Sequence, residues 1–172
     1  MYRFFRFCAG LAAVLLLTAA CTKEGAPRFK GNYTFKTSGT VTVRPADDAE
    51  AEQTVISLMD ENGQLDVVTV DKSSGEMMVA MNIVGGSVLT FNAVADGRTL
   101  TLTPFTRRLQ IPVVSGNPID TALPEATVTV SGYAERYTDA LLFWISYEGT
   151  YTYDGVEYEI TDSNISCWAK EN

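Results

Sequence analysis

The stretch YTFKTSGTVTV, residues 33–43, alternates between polar and apolar side chains, and this alternation decides the fold. Its even positions are all polar, namely Thr34, Lys36, Ser38, Thr40 and Thr42. Most of its odd positions are apolar, namely Tyr33, Phe35, Val41 and Val43. Successive side chains of a strand point to opposite faces, so a period of two predicts a strand with one buried face.

The same period recurs along the chain, most clearly in residues 99–103, 126–130 and 156–161. Turn sequences separate the alternating runs, among them Gly85-Gly86, Asp96-Gly97, Asp154-Gly155 and TDSN at residues 161–164. Asp-Gly and Gly-Gly favour short hairpin loops because these residues tolerate the positive φ that such turns need. We therefore expect about ten short strands, joined mostly by hairpins, in an antiparallel up-and-down meander.

An open meander of this length would expose two sheet edges, and closure into a barrel removes them. The sequence therefore predicts an all-β fold in which the antiparallel meander closes into a barrel, with a β-sandwich as the alternative. Most alternating runs are shorter than the about 9–11 residues of a membrane-spanning strand. Aromatic girdles are not evident, and the chain ends in AKEN. A soluble barrel with a filled or ligand-holding interior fits these features better than a transmembrane one.

The N-terminus has the layout of a secretory signal peptide. Arg3 and Arg6 precede an apolar run at residues 7–17, which is shorter than the about 20 residues that a spanning helix needs. Cys21 directly follows two alanines and resembles the lipobox of bacterial lipoproteins, although Thr18 stands where that box usually has leucine. We predict a signal-peptide helix at residues 1–20, lipidation of Cys21, a tether at residues 21–30 and one barrel domain at residues 31–172. Cleavage by an ordinary signal peptidase, which would leave Cys21 a free thiol, is the alternative.

The residues after Cys21 indicate where the anchored protein would be held. Thr22 stands where aspartate, in lipoproteins, tends to mean retention in the inner membrane, so we expect the outer membrane. Lys23-Glu24 resembles the short charged signal that sends some lipoproteins to the cell surface. Surface display is therefore expected, with a periplasm-facing orientation as the alternative. Each buried methylene contributes about 0.8 kcal/mol, so several acyl chains hold a protein firmly to its membrane.

Composition excludes several classes of function. Without residues 1–20, 11 basic residues face 21 acidic ones, a net charge of −10 that repels nucleic acid. The sequence contains no histidine, which is the commonest general base and the commonest zinc ligand. We therefore predict no catalytic residue, no metal site, no cofactor and no nucleic-acid partner, and we do not expect an enzyme.

The densest apolar segment is DALLFWISY at residues 139–147, which is apolar on both strand faces. Such a strand either packs on both sides or lines a cavity on one of them. Methionine and aromatic side chains suit an adaptable apolar pocket, although they also simply fill cores. The predicted lining of a cavity for a small apolar ligand consists of Met77, Met81, Phe91, Phe143, Trp144 and Tyr147.

Four further features have weaker functional meaning. Cys167 lies on the same strand face as Ile165 and Ala169 and is predicted to be a buried, inert thiol. Thr121 lies in Asp120-Thr121-Ala122, which resembles a bacterial O-glycosylation pattern. Arg107-Arg108 is too small a basic patch to indicate an anionic partner. Two longer loops, an acidic one at residues 45–52 and another at residues 112–125, are candidate contact sites for a surface protein partner.

The whole pattern resembles the calycin-like, lipocalin-type β-barrel lipoproteins of Gram-negative anaerobes. The likeness rests on the lipobox, on GNYTFKTSGTV, on VTVSGYAERYTDALLFWISYEG and on SNISCWAKEN, and it covers most of residues 31–172. Gly31-Asn32-Tyr33 is similar to the Gly-x-Trp of lipocalins, with Tyr33 in place of the tryptophan that plugs the barrel floor. The resemblance implies a basic residue over that ring, for which Lys170 is the candidate. It implies a barrel but does not choose between a ligand binder and a protein-interaction or structural lipoprotein without a cavity.

Overall fold

The structure is a computed structural model that describes residues 25–112 and 123–172. The predicted signal peptide, Cys21, Thr121 and most of the loop at residues 112–125 lie outside the described residues. The described chain forms one helical turn, α1 (Ala26–Phe29), and ten strands. The strands are β1 (Gly31–Pro45), β2 (Thr54–Ser57), β3 (Asn62–Asp71), β4 (Glu76–Ile83), β5 (Val88–Asp96), β6 (Thr99–Leu102), β7 (Phe105–Gln110), β8 (Glu125–Arg136), β9 (Ala140–Tyr153) and β10 (Val156–Glu171). Among these elements no helix has the length and apolar character needed to cross a membrane.

Eight of the strands close into an antiparallel barrel. Neighbours follow the order β10–β9–β8–β6–β5–β4–β3–β1, and β1 pairs with β10 to complete the ring. Closure removes the edges that an open meander would expose. The predicted all-β antiparallel barrel is confirmed, and the β-sandwich alternative is wrong.

The two remaining strands, β2 and β7, divide the barrel wall into two halves. Along β1, the first part pairs with β3 and the second part pairs with β2. Along β8, the first part pairs with β7 and the last part pairs with β6. We call the half that contains α1 and β3 to β6 the tether half, and the half that contains β2 and β7 the far half. In the far half the described strand pairings do not join β2 to β7. We call this interruption, between β7 and the β2–β3 connection, the seam.

Some strands are longer than the alternation predicted, because β1, β8, β9 and β10 run through both halves. β10 spans 16 residues and includes the predicted turn at residues 161–164. Its pairing with β9 is interrupted between Glu159 and Ile165, where the register shifts, but β1 continues to pair with this segment. The prediction of a turn there is wrong, because pairing on one side keeps a polar bulge inside the strand.

The inward-facing side chains pack into two connected clusters. The predicted inward residues of β1 are buried, with exposures of 0% for Tyr33, 1% for Phe35, 0% for Val41 and 2% for Val43. Tyr33 and Phe35 belong to the tether-half cluster, and the two valines belong to the far-half cluster. Side chains of Phe105 and Ile145 pack against both clusters, so the two halves share one continuous interior.

α1 closes the barrel at the tether end, which is the end where the described chain begins. Ala26 and Phe29 are 3% and 0% exposed, and both belong to the tether-half cluster. Pro27 suits the first turn of a helix, where its missing N–H would have no partner. Two apolar side chains of the segment predicted as a tether are therefore buried in the barrel end.

Candidate functional site

A bidentate ion pair spans the seam. Arg107 on β7 donates from Nη1 to Oε2 of Glu61 at 3.0 Å and from Nη2 to Oε1 at 2.5 Å. The two side chains are only 12% and 22% exposed. Because Glu61 lies in the β2–β3 connection, this pair joins two parts of the wall that backbone hydrogen bonds do not join.

Backbone geometry positions both partners of the ion pair. On β7, Arg107 shares the inward-facing side with Phe105 and Leu109, while the side chains between them are exposed. Glu61 is fixed by Thr37 on β1: the Thr37 amide donates to the Glu61 carbonyl at 2.7 Å, and the Glu61 amide donates to Thr37 Oγ1 at 3.0 Å. The two charged groups therefore meet because strand alternation points one inward and a reciprocal hydrogen-bond pair holds the other.

Tyr147 lies beside the ion pair and is 5% exposed. Burial raises the pKa of the Tyr147 hydroxyl, although the nearby charge of Arg107 lowers it. Burial lowers the pKa of Arg107, but its interactions with Glu61 and Tyr147 together outweigh this effect and the net pKa is raised. At neutral pH the seam therefore presents two protonated hydrogen-bond donors, a guanidinium and a phenol.

The predicted burial of Cys167 is also found: its side chain is 1% exposed and free. Burial, and to a smaller extent the charge of Glu61, raises the pKa of the Cys167 thiol to about 12. The thiolate is the nucleophilic form of cysteine, so this group stays unreactive at physiological pH.

A narrow cleft opens at the seam and reaches the far-half cluster. The residues that line it are Thr37, Ser38, Gly39, Leu58, Met59, Glu61, Leu109, Tyr147 and Ile165. Its volume is about 10 Å³, which is room for about one water molecule. Met59 forms the outer lip and is 52% exposed. The cleft thus places Tyr147 and Glu61, which holds Arg107, beside apolar side chains of the far-half cluster.

The six residues predicted to line one cavity lie in three different places. Four of them, Met77, Met81, Phe91 and Phe143, pack against one another in the tether-half cluster. Tyr147 belongs to the far-half cluster at the seam. Trp144 lies on the outer face of β9, where its ring stacks on that of Tyr133 with the centroids 5.0 Å apart. β9 is apolar on both faces because one face fills the barrel and the other carries this aromatic contact.

At the tether end, Tyr33 is fully buried in the tether-half cluster and forms the floor of the barrel. The basic residue over its ring is Arg136, whose guanidinium carbon is 5.5 Å from the ring centroid and whose Nη1 donates to the Tyr33 hydroxyl at 2.7 Å. Lys170, the candidate for this role, is exposed on the outside of β10, so that assignment is wrong. Burial raises the pKa of the Tyr33 hydroxyl to about 12, and the hydroxyl donates to the Phe29 carbonyl at 2.8 Å.

Within residues 25–112 and 123–172, no three His, Cys, Asp or Glu side chains are grouped so that they could hold a metal ion. No model of a known protein family matches the chain, and no curated protein has a similar sequence.

Proposed function

We propose that the protein is a membrane-anchored lipoprotein whose barrel binds a small, mainly apolar ligand at the seam. The observation that carries this proposal is the interruption of the far-half wall, where a cleft is lined by Tyr147, by apolar side chains and by Glu61, the ion-pair partner of Arg107. The proposal also draws on the likeness to calycin-like lipoproteins. It assigns no covalent chemistry and no cofactor to the chain, so the protein would act by binding.

The seam favours a ligand with an apolar body and one polar end. The body would pack on Leu58, Leu109 and Ile165 after the β2–β3 connection moves outward, because the cleft now holds only about one water molecule. The polar end would accept hydrogen bonds from Arg107 and Tyr147. Since Glu61 occupies the guanidinium in the empty seam, an anionic end would compete with Glu61 for the same donors.

A comparison of two neighbouring arginines tests ligand binding at the seam. Native mass spectrometry of the protein purified from its own host should detect a bound small molecule, and Arg107→Gln should lose it. Arg108→Gln is the matched control, because Arg108 is exposed and pairs with Glu125 at the surface. A single cooperative thermal transition, even at a lowered melting temperature, would show that Arg107→Gln is folded. Retention of the small molecule by folded Arg107→Gln, or its absence from the wild-type protein, would contradict the proposal.

The second part of the proposal is the anchor: lipidation of Cys21 at the outer membrane, with the barrel displayed at the cell surface. A Cys21→Ser change should release the protein from the membrane fraction or leave it with an uncleaved leader. Protease added to intact cells should reach the wild-type protein if it is displayed outside, and should not reach it if it faces the periplasm. A processed Cys21→Ser protein that remains membrane-bound would contradict lipidation.

A surface protein partner is the second candidate, and the exposed acidic loop at residues 45–52 favours it. Asp47, Asp48, Glu50 and Glu52 are exposed there, and such a cluster could attract a basic partner. A neutral replacement of these four residues should abolish capture of that partner in cross-linking from whole cells. Unchanged capture would contradict this role for the loop.

A further inference from the structure

An aromatic patch lies on the outer wall formed by β8, β9 and β10. Tyr133, Tyr137 and Trp168 are 41%, 46% and 47% exposed. Trp144 stacks on Tyr133, and the rings of Tyr137 and Trp168 lie 6.1 Å apart. Leu142 stands directly opposite Trp168 in the register and two residues before Trp144 on β9, so the five side chains form one surface. Exposed aromatic side chains grouped on one face in this way, here around Glu135 opposite Leu142, are typical of a contact site.

The patch lies near the point where the described chain begins. The amide of Gly25 donates to the carbonyl of Gly97 at 3.1 Å, and the Arg28 guanidinium donates to the carbonyl of Arg136 at 3.2 Å. Arg136 directly precedes Tyr137 of the patch. Cys21 stands four residues before Gly25, so even a fully extended tether allows only about 14 Å between the anchor and the barrel. A lipid on Cys21 would hold this end of the barrel close to the bilayer.

Charge is divided unevenly between the two halves of the described barrel. The tether half carries seven basic and seven acidic side chains: Arg28, Lys30, Lys36, Lys72, Arg98, Arg136 and Lys170 against Asp66, Asp71, Glu76, Asp96, Glu135, Asp139 and Glu171. The far half carries three basic side chains against twelve acidic ones: Arg44, Arg107 and Arg108 against Asp47, Asp48, Glu50, Glu52, Asp60, Glu61, Glu125, Glu148, Asp154, Glu157, Glu159 and Asp162. An anionic membrane surface would therefore repel the far half and leave the tether half nearly unaffected.

We infer that the aromatic patch docks on the lipid bilayer that holds the anchor, so that the β8–β10 wall lies on the membrane and the seam points away from it. This inference rests on the proposed lipidation of Cys21. Tryptophan and tyrosine favour the membrane–water interface because each combines an apolar ring with a polar N–H or O–H. The short tether brings the patch to the bilayer, and the charge division orients the barrel.

Intrinsic fluorescence can test this docking, because Trp144 and Trp168 are the only two tryptophans in the sequence and both lie in the patch. The anchored protein is reconstituted into phosphatidylcholine vesicles containing some phosphatidylglycerol, with or without a nitroxide label on the headgroups. Docking should shift the emission to the blue, and the label should cause about a twofold loss of emission, since interfacial side chains lie about 5–10 Å deep in the headgroup region.

A tryptophan on the opposite wall provides the matched control. Met78 lies on the outer face of β4, four strands around the ring from β9, and is 37% exposed. The register places it nearer the tether end than either native tryptophan. Met78→Trp, made together with Trp144→Phe and Trp168→Phe, should therefore float with the vesicles but keep its emission in the presence of the headgroup label.

The outcomes separate the docking from the anchor on which it rests. Protein that floats with the vesicles while its native tryptophans stay unquenched would overturn the docking and leave the anchor intact. Equal quenching of the native tryptophans and of Met78→Trp would overturn it too, as would an emission shift that depends on protein concentration without lipid, which would assign the patch to a second copy of the chain. Protein that does not float at all would overturn the lipidation and the docking together.

Discussion

Two inward-facing arginines, Arg107 and Arg136, fix opposite ends of the barrel. Burying a charge is costly unless the group is paired and hydrogen-bonded, and each guanidinium has such partners. Arg107 meets Glu61 across the seam, while Arg136 contacts the Tyr33 hydroxyl and pairs with Glu171. The same residue type thus bridges an interruption of the wall at one end and holds the floor at the other.

The seam pair gives a prediction about stability. Arg107→Leu should lower the free energy of unfolding by about 2–4 kcal/mol, because it leaves the mostly buried Glu61 carboxylate without its partner. The double change Arg107→Leu with Glu61→Leu should recover part of this loss. Urea unfolding measures both. Arg108→Leu should change the free energy by less than about 0.5 kcal/mol, since Arg108 and Glu125 are 77% and 50% exposed. Equal effects at Arg107 and Arg108 would contradict a structural role for the seam pair.

Cys167 gives a prediction about pH. Burial raises the pKa of its thiol from 9.0 to about 12, so the folded protein holds this proton more tightly than the unfolded chain does. The resulting stability is fully present below pH 9 and is lost as the pH rises toward 12, at about 1.4 kcal/mol per pH unit. Tyr33, whose pKa burial raises from 10.0 to about 12, adds a second loss above pH 10.

Urea unfolding at a series of pH values would measure this alkaline loss. In the wild-type protein the free energy of unfolding should begin to fall at about pH 9. In Cys167→Ala it should stay level between pH 9 and 10 and fall only above that, where Tyr33 titrates. A wild-type profile that is flat in this interval, or a Cys167→Ala profile that falls as steeply, would contradict the assignment.

Strand parity could have identified both arginines from the sequence. Arg107 is two residues from both Phe105 and Leu109, so it shares their inward face. Arg136 is two residues after the buried Ala134 and also faces inward, whereas Lys170 is two residues after the exposed Trp168 and faces outward. Parity says which face a side chain takes, but it does not say what the side chain meets there. Glu61 lies in the β2–β3 connection, where the sequence shows no alternation of polar and apolar residues. Its pairing with Arg107 therefore depends on tertiary structure and could not be predicted.

At the scale of elements, α1 works as a plug rather than as a conventional helix. Its four residues are too few for independent helical stability, so packing must hold it in place. The Phe29 side chain supplies that packing, and the Phe29 carbonyl accepts a hydrogen bond from the Tyr33 hydroxyl. The plug therefore joins the start of the described chain to the barrel floor.

Phe29→Ala should lower the free energy of unfolding by about 3–5 kcal/mol, because it removes a fully buried aromatic side chain from the barrel end. Thermal and urea unfolding would show this loss as a lower midpoint. Lys30→Ala, one residue further and exposed, should change stability by less than about 0.5 kcal/mol. A small effect of Phe29→Ala would mean that the barrel end is stable without its plug.

The existence of the strands could be predicted from alternation, but their lengths and partners could not. The polar residues 161–164 look like a break in the sequence, yet β1 and β10 pair through them. At Gly39 an added Cβ would lie 2.3 Å from the carbonyl oxygen of Asn164, so this close approach of two backbones requires glycine. Such long-range pairing decides where a strand ends.

At the scale of the whole molecule, the two ends of the barrel have different characters. The tether end carries the plug, the aromatic patch and balanced charge, whereas the far half carries the seam and most of the acidic residues. This separation would place an anchor and a binding site at opposite ends of one rigid body. It works only if the two halves fold as a single unit.

The shared interior of the barrel predicts that its two halves fold and unfold as a single unit. β1, β8, β9 and β10 run through both halves, and Phe105 and Ile145 contact both clusters. Val128→Ala, which removes two methyl groups from a fully buried site in the far half, should destabilise the protein by about 2 kcal/mol. Because the tryptophans lie in the tether half, their fluorescence transition in urea should shift as far as the far-UV circular dichroism transition, with an unchanged slope.

Val84→Ala provides the control for this cooperativity, since Val84 is 72% exposed and its loss should move neither transition. If Val128→Ala shifted the circular dichroism transition but left the tryptophan transition in place, the far half would unfold by itself. Opening of the seam would then be a local event that costs less than global unfolding. Coincident transitions would instead mean that the two halves unfold together, so the far half does not open by unfolding separately.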